Sequence, residues 1–149
     1  MANRAAFTES FLRSCRCLGR VRLVLRNAVG LSEVFADLER LEVAHGWANL
    51  VLPGAHMHLT PRAFGAAAFR MVSGERGRNA PAIWLYGAEG CPLAMIILDQ
   101  TSGEAMEEQA ALYGDLRREF GPFFHLISES ACGETTTSAT NTVECSPLH

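Results

Sequence analysis

The 149-residue sequence contains no lysine, so all thirteen of its basic residues are arginine. Sixteen acidic residues bring the net charge to −3, and the arginines form no long run. The chain therefore lacks the basic excess of a nucleic-acid-binding protein. No apolar run reaches the roughly 18 residues that a membrane-spanning helix needs. We expect neither nucleic acid nor a membrane as partner. The first residues also lack an apolar stretch fit for a signal peptide, which predicts a cytoplasmic protein.

Cysteine spacing and the missing motifs argue against several further classes of protein. The five cysteines are an odd number and contain no C-x-x-C pair, so neither a disulfide framework nor a zinc knuckle is indicated. The sequence has no G-x-S-x-G, no glycine-rich phosphate loop and no H-E-x-x-H motif. We therefore assign no catalytic residue from the sequence.

Hydrophobic periodicity predicts an α+β fold, with a large antiparallel sheet and flanking N- and C-terminal helices. Residues 7–19 show helical spacing and end at a glycine, a natural stop. Residues 20–27 alternate as in a half-buried strand. Residues 30–38 fit a strand or a helical turn about equally. Residues 42–52 are predicted to be one strand with a glycine inside it, and residues 81–98 a hairpin.

The clearest helix is predicted for residues 101–120. Acidic residues crowd its first half, where the helix dipole favours them. We expect one apolar stripe to pack on the sheet: Met106, Ala110, Tyr113, Leu116 and Phe120. Residues 130–149 lack aromatic side chains and apolar periodicity. This composition predicts a disordered tail after a single domain at residues 1–129.

Three of the five histidines, His45, His56 and His58, fall within residues 45–60. His56 and His58 are two positions apart, so on a strand their imidazoles lie on the same face. That placement suits two ligands of one metal, or one ligand beside a hydrogen-bonding neighbour. One solvated histidine and one packed histidine would fit the pattern as well.

His45 stands in a different context, followed by Gly46 and Trp47 on the predicted apolar strand. An imidazole beside aromatic and aliphatic surface is what a haem pocket requires. The alternative is that Trp47 is an ordinary core residue. Arg26 ends the first predicted strand, where its guanidinium can pair with a haem propionate. A solvated strand end is the alternative for Arg26.

Several segments, taken in order, resemble the cytosolic haem-utilisation proteins of the ChuX/HutX type, which are related to each half of the larger HemS/ChuS/HmuS proteins. The matching pieces are LGRVRLVLRNAVGLSEV, HGWANL, HMHL and IWLYGAEGCPLAMIIL with the helix after it, from about residue 7 to residue 121. The resemblance implies this family's fold, a homodimer and a bound b-type haem. It also implies that His58 is the haem histidine, that His45 lies on the family's His-Gly-aromatic strand, and that Arg26 stands where some carriers have a second histidine.

This resemblance predicts an intracellular haem carrier that delivers haem to an acceptor or a degrading protein. His58 is the expected ligand of the haem iron, and His56 its substitute or neighbour. His45, Trp47 and Arg26 are the other expected haem contacts. Two alternatives stay open. One is an enzyme that opens the haem ring, and the other is a divergent non-haem protein, either a metal-binding module or a purely structural dimer.

Overall fold

The computed structural model describes residues 4–73, 79–99 and 103–129. The tail predicted for residues 130–149 lies outside these ranges. The elements follow in this order: β1 (Ala5–Phe7), α1 (Thr8–Ser14), β2 (Arg20–Arg26), β3 (Leu31–Asp37), β4 (Glu42–Ala44), β5 (Trp47–Leu52), β6 (Ala55–Leu59), β7 (Phe64–Ser73), β8 (Asn79–Gly87), β9 (Pro92–Leu98), α2 (Gly103–Phe120) and β10 (Phe123–Ile127). Short 3-10 turns cover Cys15–Leu18, Leu38–Arg40 and Pro61–Ala63.

The strands form two sheets. Seven of them pair in the order β1-β10-β7-β8-β9-β2-β3, and β4-β5-β6 form a separate small sheet. The pairs are antiparallel except for β1 and β10, which run parallel. The predicted α+β fold with a large antiparallel sheet is confirmed. The hairpin predicted for residues 81–98 is also confirmed, as β8 and β9.

Strand β2 shows how the alternating pattern positions the sheet. Val21 and Leu23 are buried on the side that faces the helices, and Arg20 and Arg26 are exposed. Val24, the apolar residue among the arginines, is buried on the opposite side. β2 pairs along its whole length with β3, so residues 30–38 contain a strand and not a helical turn.

The N-terminal helical segment stops at the predicted glycine, but the α-helix itself ends earlier, at Ser14. After α1 the chain makes a 3-10 turn over Cys15–Leu18 and stops at Gly19, whose φ is 65°. Glycine adopts this left-handed backbone without a steric penalty. Cys15 is fully buried at this end of the helix, and burial raises the pKa of its thiol far above its usual range.

The residues that α2 buries against the sheet differ in part from the predicted apolar stripe. Tyr113 and Leu116 are buried as expected, and the Tyr113 hydroxyl donates a 2.8 Å hydrogen bond to the Ala82 carbonyl. Met106 is 44% exposed, so the predicted burial of Met106 is wrong. At this end the buried residue is Gln109, whose amide donates to the main-chain carbonyls of Leu18, in the 3-10 turn, and Arg20, the first residue of β2.

Ala110 is also exposed, so the predicted stripe is buried only in its C-terminal half. The hydrogen bonds of Gln109 explain why this polar residue is buried in place of Met106 and Ala110, because a buried amide is tolerated when its N–H groups are hydrogen-bonded. No helix in the described part of the chain is long and apolar enough to cross a membrane.

The two sides of the seven-stranded sheet differ in what covers them. On one side, residues of α1, α2 and the small sheet join the main core. On the other side, the buried cluster among the described residues consists of sheet residues: Val24, Ala82 and Ile97, with Val72, Ala80, Trp84 and Met95 packed against them. We call this second side the open face.

Candidate functional site

The small sheet begins with a tight hairpin at His45. Ala44 and Trp47 are direct partners of β4 and β5, which leaves His45 and Gly46 as the turn. Their φ angles are 53° and 78°, as a type I′ hairpin turn requires. The predicted single strand over residues 42–52 is therefore wrong, because the chain reverses direction at Gly46. His45 is exposed at the turn and does not lie on a strand.

A second tight turn joins β5 to β6 and fixes their register. Leu52 and Ala55 are partners, so Pro53 and Gly54 make the connection. Gly54 has a φ of 72°, and proline followed by a glycine of positive φ is typical of a type II turn. The resulting register sets His58 directly opposite Asn49.

Alternation along β5 and β6 separates an inner side from an outer side. Ala48 and Leu50 are 0% and 1% exposed and belong to the main core. Trp47 and Val51 are 48% and 53% exposed, on the side away from that core. We call this outer side the histidine face, which comprises Trp47, Asn49, Val51, His56 and His58.

His58 is the best-held side chain of the histidine face. Its Nδ1 lies 2.6 Å from the Asn49 Oδ1 on the neighbouring strand. The Trp47 ring meets it edge to face, with centroids 6.4 Å apart and an angle of 81° between the planes. On the other side the His56 ring is parallel to it within 1°, at 6.4 Å. The hydrogen bond to Asn49 occupies Nδ1, which leaves Nε2 as the nitrogen able to bind a ligand.

The structure thus brings together three of the five residues predicted for the site. His56, His58 and Trp47 share the histidine face, and His45 lies in the turn that precedes Trp47. Arg26 does not join them. It lies exposed at the end of β2 in the large sheet, opposite Leu31.

Sequence reasoning missed Asn49, the hydrogen-bonding partner of His58. The available signal was its position two residues after Trp47, which places both on one side of a strand. Its pairing with His58 depends on the register of the β5–β6 hairpin. Among the residues that the structure describes, no group of three or more His, Cys, Asp or Glu could hold a metal ion.

No protein-family model matches the sequence, and no curated protein matches it. Solved structures do match it in fold. The haem-binding protein ChuX is 19% identical with a TM-score of 0.59, covering 74% of this chain and 70% of ChuX. Holo-PhuS, a haem-binding protein from Pseudomonas aeruginosa, is 15% identical with a TM-score of 0.60, covering 91% of this chain and 37% of PhuS. ChuS, an E. coli haem oxygenase, is 18% identical with a TM-score of 0.52, covering 75% of this chain and 33% of ChuS.

The chain therefore has the fold of the haem-utilisation proteins. It spans more than two thirds of ChuX but only a little over a third of PhuS and a third of ChuS. The likeness in fold agrees with the resemblance that the ordered sequence segments indicated.

Proposed function

We propose that this protein is an intracellular haem carrier of haem uptake and iron utilisation, located in the cytoplasm, and that the histidine face is one wall of its haem site. The observation that carries the proposal is the placement of His58. Its imidazole is exposed, flanked by the Trp47 ring and hydrogen-bonded at Nδ1, so that Nε2 is free. The fold is shared with ChuX and PhuS, both of which are named as haem-binding proteins.

The chemistry of the histidine face fits haem better than it fits a bare metal ion. Two histidines alone give too few ligands for a tetrahedral zinc site, which takes four. Haem iron already has four porphyrin nitrogens and needs only one or two ligands from the protein. Trp47 and Val51, both about half exposed, offer apolar surface to a flat ring. When bound, the haem, proposed as haem b, supplies the iron and the protein supplies a nitrogen and that surface.

The proposed roles differ among the five residues. His58 would bind the haem iron, and His56 would be its neighbour and substitute. His45 is the alternative ligand, from the turn that precedes Trp47. Arg26 is proposed to pair with a propionate or to lie over the opposite haem face.

We further propose that the chain is a homodimer built on the open face. Phe35 and Phe123 lie on this side, 57% and 54% exposed, in register with buried or half-buried residues of the central strands. Exposed aromatic side chains beside apolar surface are typical of an interface between subunits. Charged residues share this face, since Arg22, the partner of Phe35, pairs with Glu33. A two-fold axis would place the same surface of each copy against the other.

A haem-degrading enzyme is the second candidate function. The observation that favours it is the match in fold to ChuS, a haem oxygenase. The two functions differ in their product, since a carrier gives intact haem to an acceptor protein, whereas a degrading enzyme with a reductant yields an opened ring and free iron. Incubating the haem-loaded protein with a reductant and oxygen, and then extracting the pigment, distinguishes them.

Titration with haemin tests the proposed site directly. We expect wild type to give a Soret band that shifts in His58→Ala, with haem affinity at least about tenfold lower, because loss of a metal ligand costs more than a change in its neighbours. His125→Ala is the matched control, since His125 is exposed on β10 of the other sheet. An unchanged spectrum and affinity after joint replacement of His45, His56 and His58 would overturn the proposal.

A further inference from the structure

We propose that Asn49 is the positioning residue of His58. Its amide oxygen accepts the proton of the His58 Nδ1, which fixes the imidazole in the tautomer whose Nε2 carries a free lone pair. The part that concerns iron rests on the proposed haem function. The tautomer itself is a property of the protein without ligand, so the two can be tested apart.

The contact between the two side chains is short and direct. Asn49 Oδ1 and His58 Nδ1 are 2.6 Å apart, and the two residues are direct partners across β5 and β6. Whichever nitrogen of a histidine binds metal is set by the hydrogen bond that the other nitrogen makes. A solvated imidazole favours the Nε2–H tautomer, which cannot bind iron through Nε2. The Asn49 oxygen reverses that preference for His58.

The backbone beneath Asn49 is held in place by the core. Its neighbours Ala48 and Leu50 are 0% and 1% exposed and point inward, so the backbone that carries the Asn49 side chain is fixed. His58 is held on its other sides by the rings of Trp47 and His56. A ligand supported in this way is oriented before the iron arrives, which lowers the cost of binding.

An amide acceptor also suits reversible binding. A carboxylate at this position would hydrogen-bond the ring and add a negative charge, which raises the basicity of the imidazole and strengthens its bond to metal. Asn49 orients the ring without that charge. The pairing therefore favours a site that takes up haem and can release it, as a carrier must.

The first test measures the tautomer in the protein without haem. Long-range ¹⁵N–¹H NMR correlations of the imidazole should show His58 as the Nδ1–H tautomer in wild type and in Asn49→Asp, which keeps an acceptor. In Asn49→Leu the Nε2–H tautomer should dominate. Val51→Ala changes the same face without touching this bond and should leave the tautomer unchanged. An Nε2–H tautomer in wild type, or no change in Asn49→Leu, would overturn the inference.

The second test measures haem binding by the same variants. Asn49→Leu should weaken haem affinity about 10- to 100-fold, the range for loss of a partner that orients a ligand. Asn49→Asp should bind haem at least as tightly as wild type and shift the reduction potential of the iron to lower values. Equal affinity in wild type and Asn49→Leu would overturn the role in binding. If wild type itself binds no haem, the proposed function fails, and the NMR result alone decides whether Asn49 positions His58.

Discussion

Trp47 and His58 meet edge to face on the histidine face, with their ring centroids 6.4 Å apart. The contact depends on the β4–β5 turn, because Trp47 is the first residue of β5 after Gly46. It places an indole that is 48% exposed directly beside the imidazole. A flat hydrophobic ligand bound at His58 would therefore cover aromatic surface that is otherwise in water.

Replacement of Trp47 should weaken haem binding without removing the iron ligand. We expect Trp47→Ala to lower the affinity about tenfold, since a lost aromatic contact is worth on the order of 1 kcal/mol or more. Trp47→Phe should keep most of the affinity because it keeps a ring. A titration followed at the Soret band measures both variants. Equal affinity in Trp47→Ala and wild type would show that the haem does not lie on this ring.

Charges on the open face should separate the proposed dimer. We expect wild type to be a dimer at roughly tens of micromolar. The double variant Phe35→Asp, Phe123→Asp should be a monomer, because each change buries a carboxylate in an apolar interface. Light scattering after size-exclusion chromatography measures the mass.

Val29→Asp is the matched control for this experiment. Val29 is 96% exposed in the turn between β2 and β3, so its replacement should leave the dimer intact. A monomeric wild type, or a double variant that stays dimeric, would contradict an interface on the open face.

The free energy of unfolding should fall in alkaline solution. Burial raises the pKa of Cys15 above its ordinary 9.0 and that of Tyr113 above 10.0. Both groups therefore lose protons first in the unfolded chain, so their contribution is complete below about pH 9 and is lost as the pH rises through the folded pKa values. The absence of lysine removes the other side chain that titrates in this range.

Urea unfolding at about pH 8 and about pH 10 measures this loss. Cys15→Ala should lower the stability at the lower pH by leaving a small cavity, yet show a flatter decrease with pH because the buried thiol is gone. Tyr113→Phe should also flatten the decrease. If the free energy of unfolding fell equally with pH in wild type and in these variants, the loss could not be assigned to Cys15 and Tyr113.

Replacing each of two glycines by alanine should change the free energy of unfolding in opposite directions. A Cβ at Gly114 in α2 would meet no atom within 4 Å, so Gly114→Ala should raise the free energy of unfolding by about 0.5–1 kcal/mol through helix propensity. A Cβ at Gly65 would lie 3.0 Å from the Ala88 Cα, so Gly65→Ala should lower it. Urea unfolding compares the two, and a stabilised Gly65→Ala would show that β7 and β8 relax easily.

Local patterns in the sequence determined much of the fold. The alternation in residues 20–27 predicted β2, and the glycine-rich turn between apolar runs predicted the β8–β9 hairpin. The helical periodicity of residues 101–120 agrees with α2, which the structure describes from Gly103. These elements were predictable because period and turn chemistry depend on residues close together in the chain. The pair of histidines on one side of β6 was predictable for the same reason.

The tertiary structure decided what each element pairs with. Residues 42–52 form a hairpin because Gly46 and His45 both accept a positive φ, and this pairing creates a small sheet that the apolar pattern alone did not reveal. The short strand β1 pairs with β10 across more than a hundred residues, and β10 pairs with β7 on its other edge. The open face is likewise defined only by where the helices pack. Sheet pairing and coverage join residues that are distant in sequence. Asn49 and His58 are only nine residues apart, but their contact depends on the exact register of β5 and β6, which the folded chain fixes.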